Sequence, residues 1–182
     1  MQTVFSPNRR ALMGAALTVF TANAAATPTP SFHAYGAAPE FAGIEQWLNS
    51  PPLTLEGLRG KVVLVDFWTY SCINCLRTLP HVSRWAEAYR DQGLIVVGVH
   101  TPEFAFERST RNLQTAIQRF GVKHAVAQDN HYATWKAWRN QYWPAKYLID
   151  ARGQVVYRQF GEGGYGEMEA AIQALLAQRS TK

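Results

Sequence analysis

Cys72 and Cys75 are the two cysteines of this 182-residue chain, with Ile73 and Asn74 between them. Two thiols at that spacing close a small disulfide ring, and their natural chemistry is exchange with another disulfide. Cys72 falls at or just before the expected start of a helix. Unpaired backbone amides and the positive end of the helix dipole there favour a thiolate over a thiol, which makes Cys72 the expected nucleophile. Cys75, one turn further in, is the expected resolving thiol, spaced to displace a partner captured on Cys72. Upstream, Asp66 interrupts the apolar run Val62-Val63-Leu64-Val65-Asp66-Phe67-Trp68. A charged carboxylate in such a strand is costly unless paired, so Asp66 is expected either to find a partner or to hold a raised pKa. A group of that kind can take the proton that Cys75 must lose before it attacks.

Other uses of a cysteine pair fit less well. A zinc site wants four ligands, and His81, His100, His124 and His131 offer no second ligand pair at regular spacing. Covalent haem attachment needs a histidine directly after the second cysteine, where Leu76 stands. A structural disulfide closed over two residues would remove little unfolded-state entropy. No metal or organic cofactor is therefore expected.

The elements that must position these residues are legible in the hydrophobic pattern. Residues 61–68 and 94–100 are runs of valine, isoleucine and leucine without polar alternation, as in central strands covered on both faces. Residues 145–150 and 154–160 read as two further strands, joined by the short glycine-ending Asp150-Ala151-Arg152-Gly153 and so as an antiparallel hairpin. Helical spacing links Leu76, Leu79, Val82, Trp85 and Tyr89, then Leu113, Ile117 and Phe120, then Met168, Ile172 and Leu176. Pro80 is expected to kink the first of these. A shorter helix fits residues 132–138, followed by a loop over 140–143. The expected class is α/β, one mixed central sheet with helices on both faces, without a repeat or a second domain.

The N-terminus reads as an export signal over residues 1–26: Arg9-Arg10, an apolar core from Ala11 to Phe20, and small residues around Ala24 for cleavage. The apolar stretch is shorter than the roughly 18 to 20 residues a membrane span needs. The arginine pair also resembles a twin-arginine signal, so the route of export stays open. Residues 27–40 read as an extended, proline-containing linker, and the domain as 41–182. Cleavage would remove two of the 18 basic residues and none of the 13 acidic ones, leaving 16 against 13. That scattered, mildly basic balance argues against a nucleic-acid surface. In an oxidising compartment, with core enough to do without staples, the pair is expected to be functional.

The stretch Val65-Asp66-Phe67-Trp68, then Cys72-x-x-Cys75 and Pro80, resembles the active-site region of the thioredoxin superfamily. The longer strings Trp68-Thr69-Tyr70-Ser71-Cys72-Ile73-Asn74-Cys75-Leu76-Arg77, His100 to Glu107 and Tyr142 to Asp150 resemble the thioredoxin-like domain of DipZ-type thiol:disulfide interchange proteins, within the exported TlpA-like redoxins. This resemblance covers nearly all of residues 39–178 and implies a thioredoxin-like fold. It implies that Asp66 is the family's buried acid and that Pro144 is its cis-proline, facing the cysteines, exposing backbone for an extended partner chain and keeping metal off the thiols. Trp68, Tyr70 and Trp143 would form an apolar substrate-binding rim around Cys72, with packing in the core as the other reading of all three. Glu103 is carried as a glutamate near the thiols. DipZ-type proteins often fuse this domain to a membrane-embedded electron-transfer domain, so the resemblance implies a separate membrane electron donor of the CcdA/DsbD type.

The expected function is thus exported thiol:disulfide exchange through Cys72 and Cys75, acting as a monomer on envelope protein disulfides such as apocytochrome c thiols, in the reducing direction. Two rivals differ in class. A thiol peroxidase would use Cys72 against peroxide, but Thr69-Tyr70-Ser71 stands where proline and threonine usually precede that cysteine. A metal chaperone or plain binding module would use the thiols or the aromatic rim without turnover.

Overall fold

The computed structural model describes residues 2–3 and 32–180. The expected signal peptide, save residues 2 and 3, and residues 27–31 of the expected linker lie outside the described residues.

Strands β1 (Gln46–Leu48), β2 (Val62–Trp68), β3 (Leu94–His100), β4 (Ala125–Gln128), β5 (Ala145–Ile149) and β6 (Val155–Phe160) form one sheet in the order β1-β4-β3-β2-β5-β6. β2, β3 and β4 are parallel; β1, β5 and β6 join antiparallel to their neighbours. The mixed α/β sheet and its hairpin are those expected. Every residue of β2 is buried, as a strand with two neighbours and two covered faces must be.

Alternation along β2 sorts the core. Leu64 and Trp68 face helices α1 (Ile73–Ala88), α2 (Thr110–Arg119) and α4 (Tyr165–Ser180), through Val82, Trp85, Leu113, Ile117, Met168 and Ile172. Val63, Val65 and Phe67 face the other way, onto Trp135 and Trp138 around the short helix α3 (Ala133–Ala137). Asp66 shares the first face, beneath the start of α1. α1 runs on through Pro80. Among the described residues no helix is long and apolar enough to cross a membrane.

Three features go beyond the pattern reading. The four-residue β4 and three-residue β1 are too short to show periodicity, and they extend the sheet past β3, the first parallel and the second antiparallel. A turn of 3-10 helix, Ala105–Arg108, precedes α2. Ordered contacts also begin ahead of Phe41: Tyr35 donates to the Val155 carbonyl at 2.8 Å and Ala38 to that of Gly153 at 3.0 Å. Part of the expected linker thus lies along the final hairpin.

Candidate active site

β2 delivers the chain to the thiols. It ends at Trp68, the loop Thr69-Tyr70-Ser71 follows, and Cys72 is the N-cap residue of α1. Its sulfur accepts a hydrogen bond from the Cys75 backbone N–H at 3.2 Å, satisfying one of the amides a helix start leaves open. Cys72 is partly exposed while Cys75 is 2% exposed, and both are free thiols. The hydrogen bond from the Cys75 thiol, with the amides of Cys75 and Asn74, holds Cys72 down to about 7 against the opposing effects of burial and Glu103. Burial and that same shared hydrogen bond push Cys75 up. One sulfur is thus ready to attack, and its neighbour needs a base.

The Asp66 carboxyl lies close enough to both thiols for charge to act between them. Burial raises its carboxyl from the ordinary 3.8 to about 7, Lys146 works against the rise, and Cys72 adds to it. Lys146 is directly opposite Asp66 in the β2–β5 ladder. It is fully buried, and its ammonium donates to the Gly161 carbonyl at 3.2 Å. Burial pulls the lysine's pKa down. Lys146 escaped the sequence reading, although a lysine two residues after Pro144 in an otherwise apolar strand was the available signal.

Trp143–Pro144 is a cis peptide bond, and Pro144 is buried at the head of β5. Tyr70, Cys72 and Trp143 all pack, partly exposed, against the cluster of Trp68, Cys75 and Leu79. Trp143 is held by its indole N–H on the Thr101 carbonyl at 3.0 Å and by Trp135, 4.1 Å away between ring centres. Trp68 corrects the expected rim. It is 1% exposed, since the strand alternation that aims Asp66 into the core aims Trp68 there too, and it cannot touch a partner. Among the described residues, Ile73, Phe104, Phe106 and Tyr142 are large apolar side chains left exposed, as are Tyr35 and Phe160, and sequence reasoning missed them. Phe104 stacks on Phe106, whose carbonyl accepts the Tyr70 hydroxyl at 3.0 Å.

The two glutamates of the segment after β3 are placed differently. Glu103 is exposed, and its charge reaches Cys72 only to raise the thiol. Glu107 is the buried one. Its Oε1 accepts Thr69 and Ser71 hydroxyls, both at 2.6 Å, and its Oε2 accepts the amides of Glu103 and Phe104. Burial alone would raise this carboxyl, but the hydrogen bonds prevail and hold it below the usual range. Thr69 Oγ1 also lies 3.2 Å from His100 Nε2, and the His100 ring stacks on Tyr70. Burial lowers His100 to about 4, so it is neutral there. A glutamate at the third position of a helical turn, reaching back to the turn's first amides, was the sequence signal for Glu107.

A partly exposed N-cap cysteine with a lowered pKa, a buried partner thiol, a buried acid and a cis-proline on a mixed sheet define a thioredoxin-like protein. Residues 36–158 match the AhpC/TSA family, and the chain belongs to that family. It is 54% identical over 144 residues to Protein DipZ of Mycobacterium bovis (strain ATCC BAA-935 / AF2122/97), which is 78% of this chain and 21% of DipZ. The chain therefore spans about a fifth of the length of the DipZ proteins it matches. It is 32% identical over 141 residues to thiol-disulfide oxidoreductase YkuV of Bacillus subtilis (strain 168), covering 76% of this chain and 94% of YkuV. Among solved structures, a thioredoxin-like protein in the oxidized form superposes with a TM-score of 0.72 at 30% identity, over 79% of this chain and 96% of the other.

Proposed function

We propose that the chain is a thiol:disulfide oxidoreductase that reduces disulfides of exported proteins. The observation that carries this reading is the contrast between the two sulfurs: Cys72 partly exposed and held down to about 7, Cys75 buried and held high, with Asp66 behind them at about 7. The name of the YkuV relative, matched over almost its whole length, supports it further.

In the proposed cycle, the Cys72 thiolate attacks one sulfur of a partner disulfide, and the other partner sulfur leaves as a thiolate. Cys75 then gives its proton to the Asp66 carboxylate and attacks Cys72 Sγ. The second partner sulfur leaves with the bonding electron pair. The partner has gained two electrons as two thiolates, which take up protons from the medium, and Cys72–Cys75 has become the disulfide. Pro144, Trp143 and Tyr70 receive the partner's backbone and side chains, and no metal or organic cofactor takes part.

The finer reading follows the same resemblance. A signal over residues 1–26 exports the chain to the periplasm or another extracytoplasmic space. A membrane donor of the CcdA/DsbD type returns the electrons, and the substrates are envelope disulfides of the kind met in cytochrome c biogenesis. A peroxidase reading has less support, because the Thr69 hydroxyl is buried and committed to Glu107.

The test is Cys75→Ser expressed in an envelope-bearing host. Without the resolving thiol, Cys72 is expected to retain partners as mixed disulfides that reductant releases, and recovery of none would refute the reading. The direction is read separately from the reduction potential, expected near the thioredoxin value of about −270 mV rather than the DsbA value of about −120 mV.

A further inference from the structure

Asn112, Ala116 and Arg119 recur along α2 at the spacing that places side chains on one strip of a helix. With Tyr70, Phe106 and Phe120 they line a pocket of about 270 Å³. Sites for drug-sized ligands run to roughly 300–1,000 Å³, so this one suits a single large side chain. Its aromatic walls are held in place. The Phe106 carbonyl accepts the Tyr70 hydroxyl at 3.0 Å and the Asn112 side-chain N–H at 3.2 Å, and the Tyr70 ring is stacked on His100.

Arg119 is the charged group of this pocket, and it is uncommitted. It is exposed, and its guanidinium lies 5.4 Å from the centre of the Phe120 ring. None of the ion pairs among the described residues includes it. Among the described residues no aspartate or glutamate lines the pocket, and α2 carries Arg111 and Arg119 without an acid. Glu107, whose charge reaches Tyr70, has both oxygens taken by Thr69, Ser71 and two backbone amides. The pocket also adjoins the thiols. Tyr70 belongs to it and packs, as Cys72 and Trp143 do, against Trp68, Cys75 and Leu79. A polypeptide held at Cys72 therefore has this pocket within reach of its neighbouring side chains.

We propose that the pocket is a specificity subsite for the partner polypeptide, taking an aromatic side chain near the partner's reacting cysteine while Arg119 pairs with a carboxylate beside that side chain. The proposal rests on the exchange reading above and adds to it which disulfides are preferred. Burial of the ring among Tyr70, Phe106 and Phe120 supplies affinity. Arg119 supplies selection, since it attracts an acidic neighbour and repels a basic one.

The test uses short peptides that each carry one cysteine, joined in pairs by their disulfide, with Phe-Asp, Phe-Lys or Ala-Ala placed at successive positions on either side of the cysteine. The reduced full chain is mixed with each, and the second-order rate of its oxidation is followed at physiological ionic strength, where charges further apart than about 8 Å are largely screened. At the position that reaches the pocket, phenylalanine is expected to raise the rate about tenfold over alanine. Aspartate beside it is expected to outpace lysine about threefold. Arg119→Glu should invert that Asp-to-Lys ratio. Arg111→Glu, the same change of charge on the same helix outside the pocket, should keep it above one. No advantage of phenylalanine at any position, an Asp-to-Lys ratio that Arg119→Glu leaves at its wild-type value, or an equal shift in Arg111→Glu would each overturn the subsite. Failure of the wild type to react with any of these peptides or with a small aromatic disulfide would instead refute the exchange reading and take the subsite with it.

Discussion

Ser71 Oγ donates to Glu107 Oε1 at 2.6 Å, tying the residue next to Cys72 to a carboxylate 36 positions along the chain. Thr69 makes the same bond to the same oxygen, so the loop ahead of Cys72 is fastened at two points to the segment that follows β3. Glu107→Ala would leave those hydroxyls and the amides of Glu103 and Phe104 without an acceptor. Of these donors only Thr69 is fully buried and bears the full unpaired cost of about 1–3 kcal/mol, while the others regain part of theirs from water. A loss of stability of several kcal/mol in urea unfolding is expected, together with faster amide exchange over residues 69–72. A variant with wild-type stability would contradict this account of the loop.

Asp66 makes stability depend on pH in a definite direction. Its folded pKa of about 7 exceeds its ordinary 3.8, so between those values the folded protein holds a proton that the unfolded chain releases. The contribution of Asp66 therefore falls as pH rises through that window, by on the order of 4 kcal/mol in total. Asp66→Asn should match the reduced wild type near pH 4 and be the more stable of the two at pH 8. Denaturant unfolding at both values checks it, and a gap that is the same at both would contradict it.

Lys146 restrains Asp66 from rising further. Lys146→Met is expected to raise the Asp66 pKa and leave less carboxylate at neutral pH. Mixed-disulfide release by Cys75 should then be several-fold slower at pH 7 and regain its rate in more alkaline solution. The pH profile of that single step is the measurement. An unshifted profile would mean that the ammonium serves the Gly161 carbonyl alone.

The exposed aromatics near the thiols give a prediction about partners. Phe106→Ala and Ile73→Asp remove apolar surface that is 55% and 60% exposed, so stability should change by less than about 0.5 kcal/mol. Reduction of a protein disulfide should slow through KM, while reduction of a small disulfide by the same variants stays near wild type. Equal loss on both substrates would place these side chains outside the docking surface.

Much of the site is local and was therefore legible in the sequence. Cys72, Cys75 and Asp66 lie within ten residues of one another, and a strand running into a helix start orders them along one stretch of chain. The valine-rich runs of β2 and β3 declared central strands covered on both faces, and the hairpin of β5 and β6 followed from its short glycine-ending turn. What required the tertiary structure was every relationship set by register between distant segments. Lys146 faces Asp66 only because β5 pairs with β2 in that phase, and Gly98 adjoins it only because β3 does. The choice of Glu107 over Glu103 depends on which carboxylate a 3-10 turn folds inward, and the burial of Trp68 on which face of β2 the helices cover. Side-chain type and spacing specify chemistry along a chain, whereas burial and long-range pairing, which decide how strongly each group holds its proton, exist only once the sheet has formed.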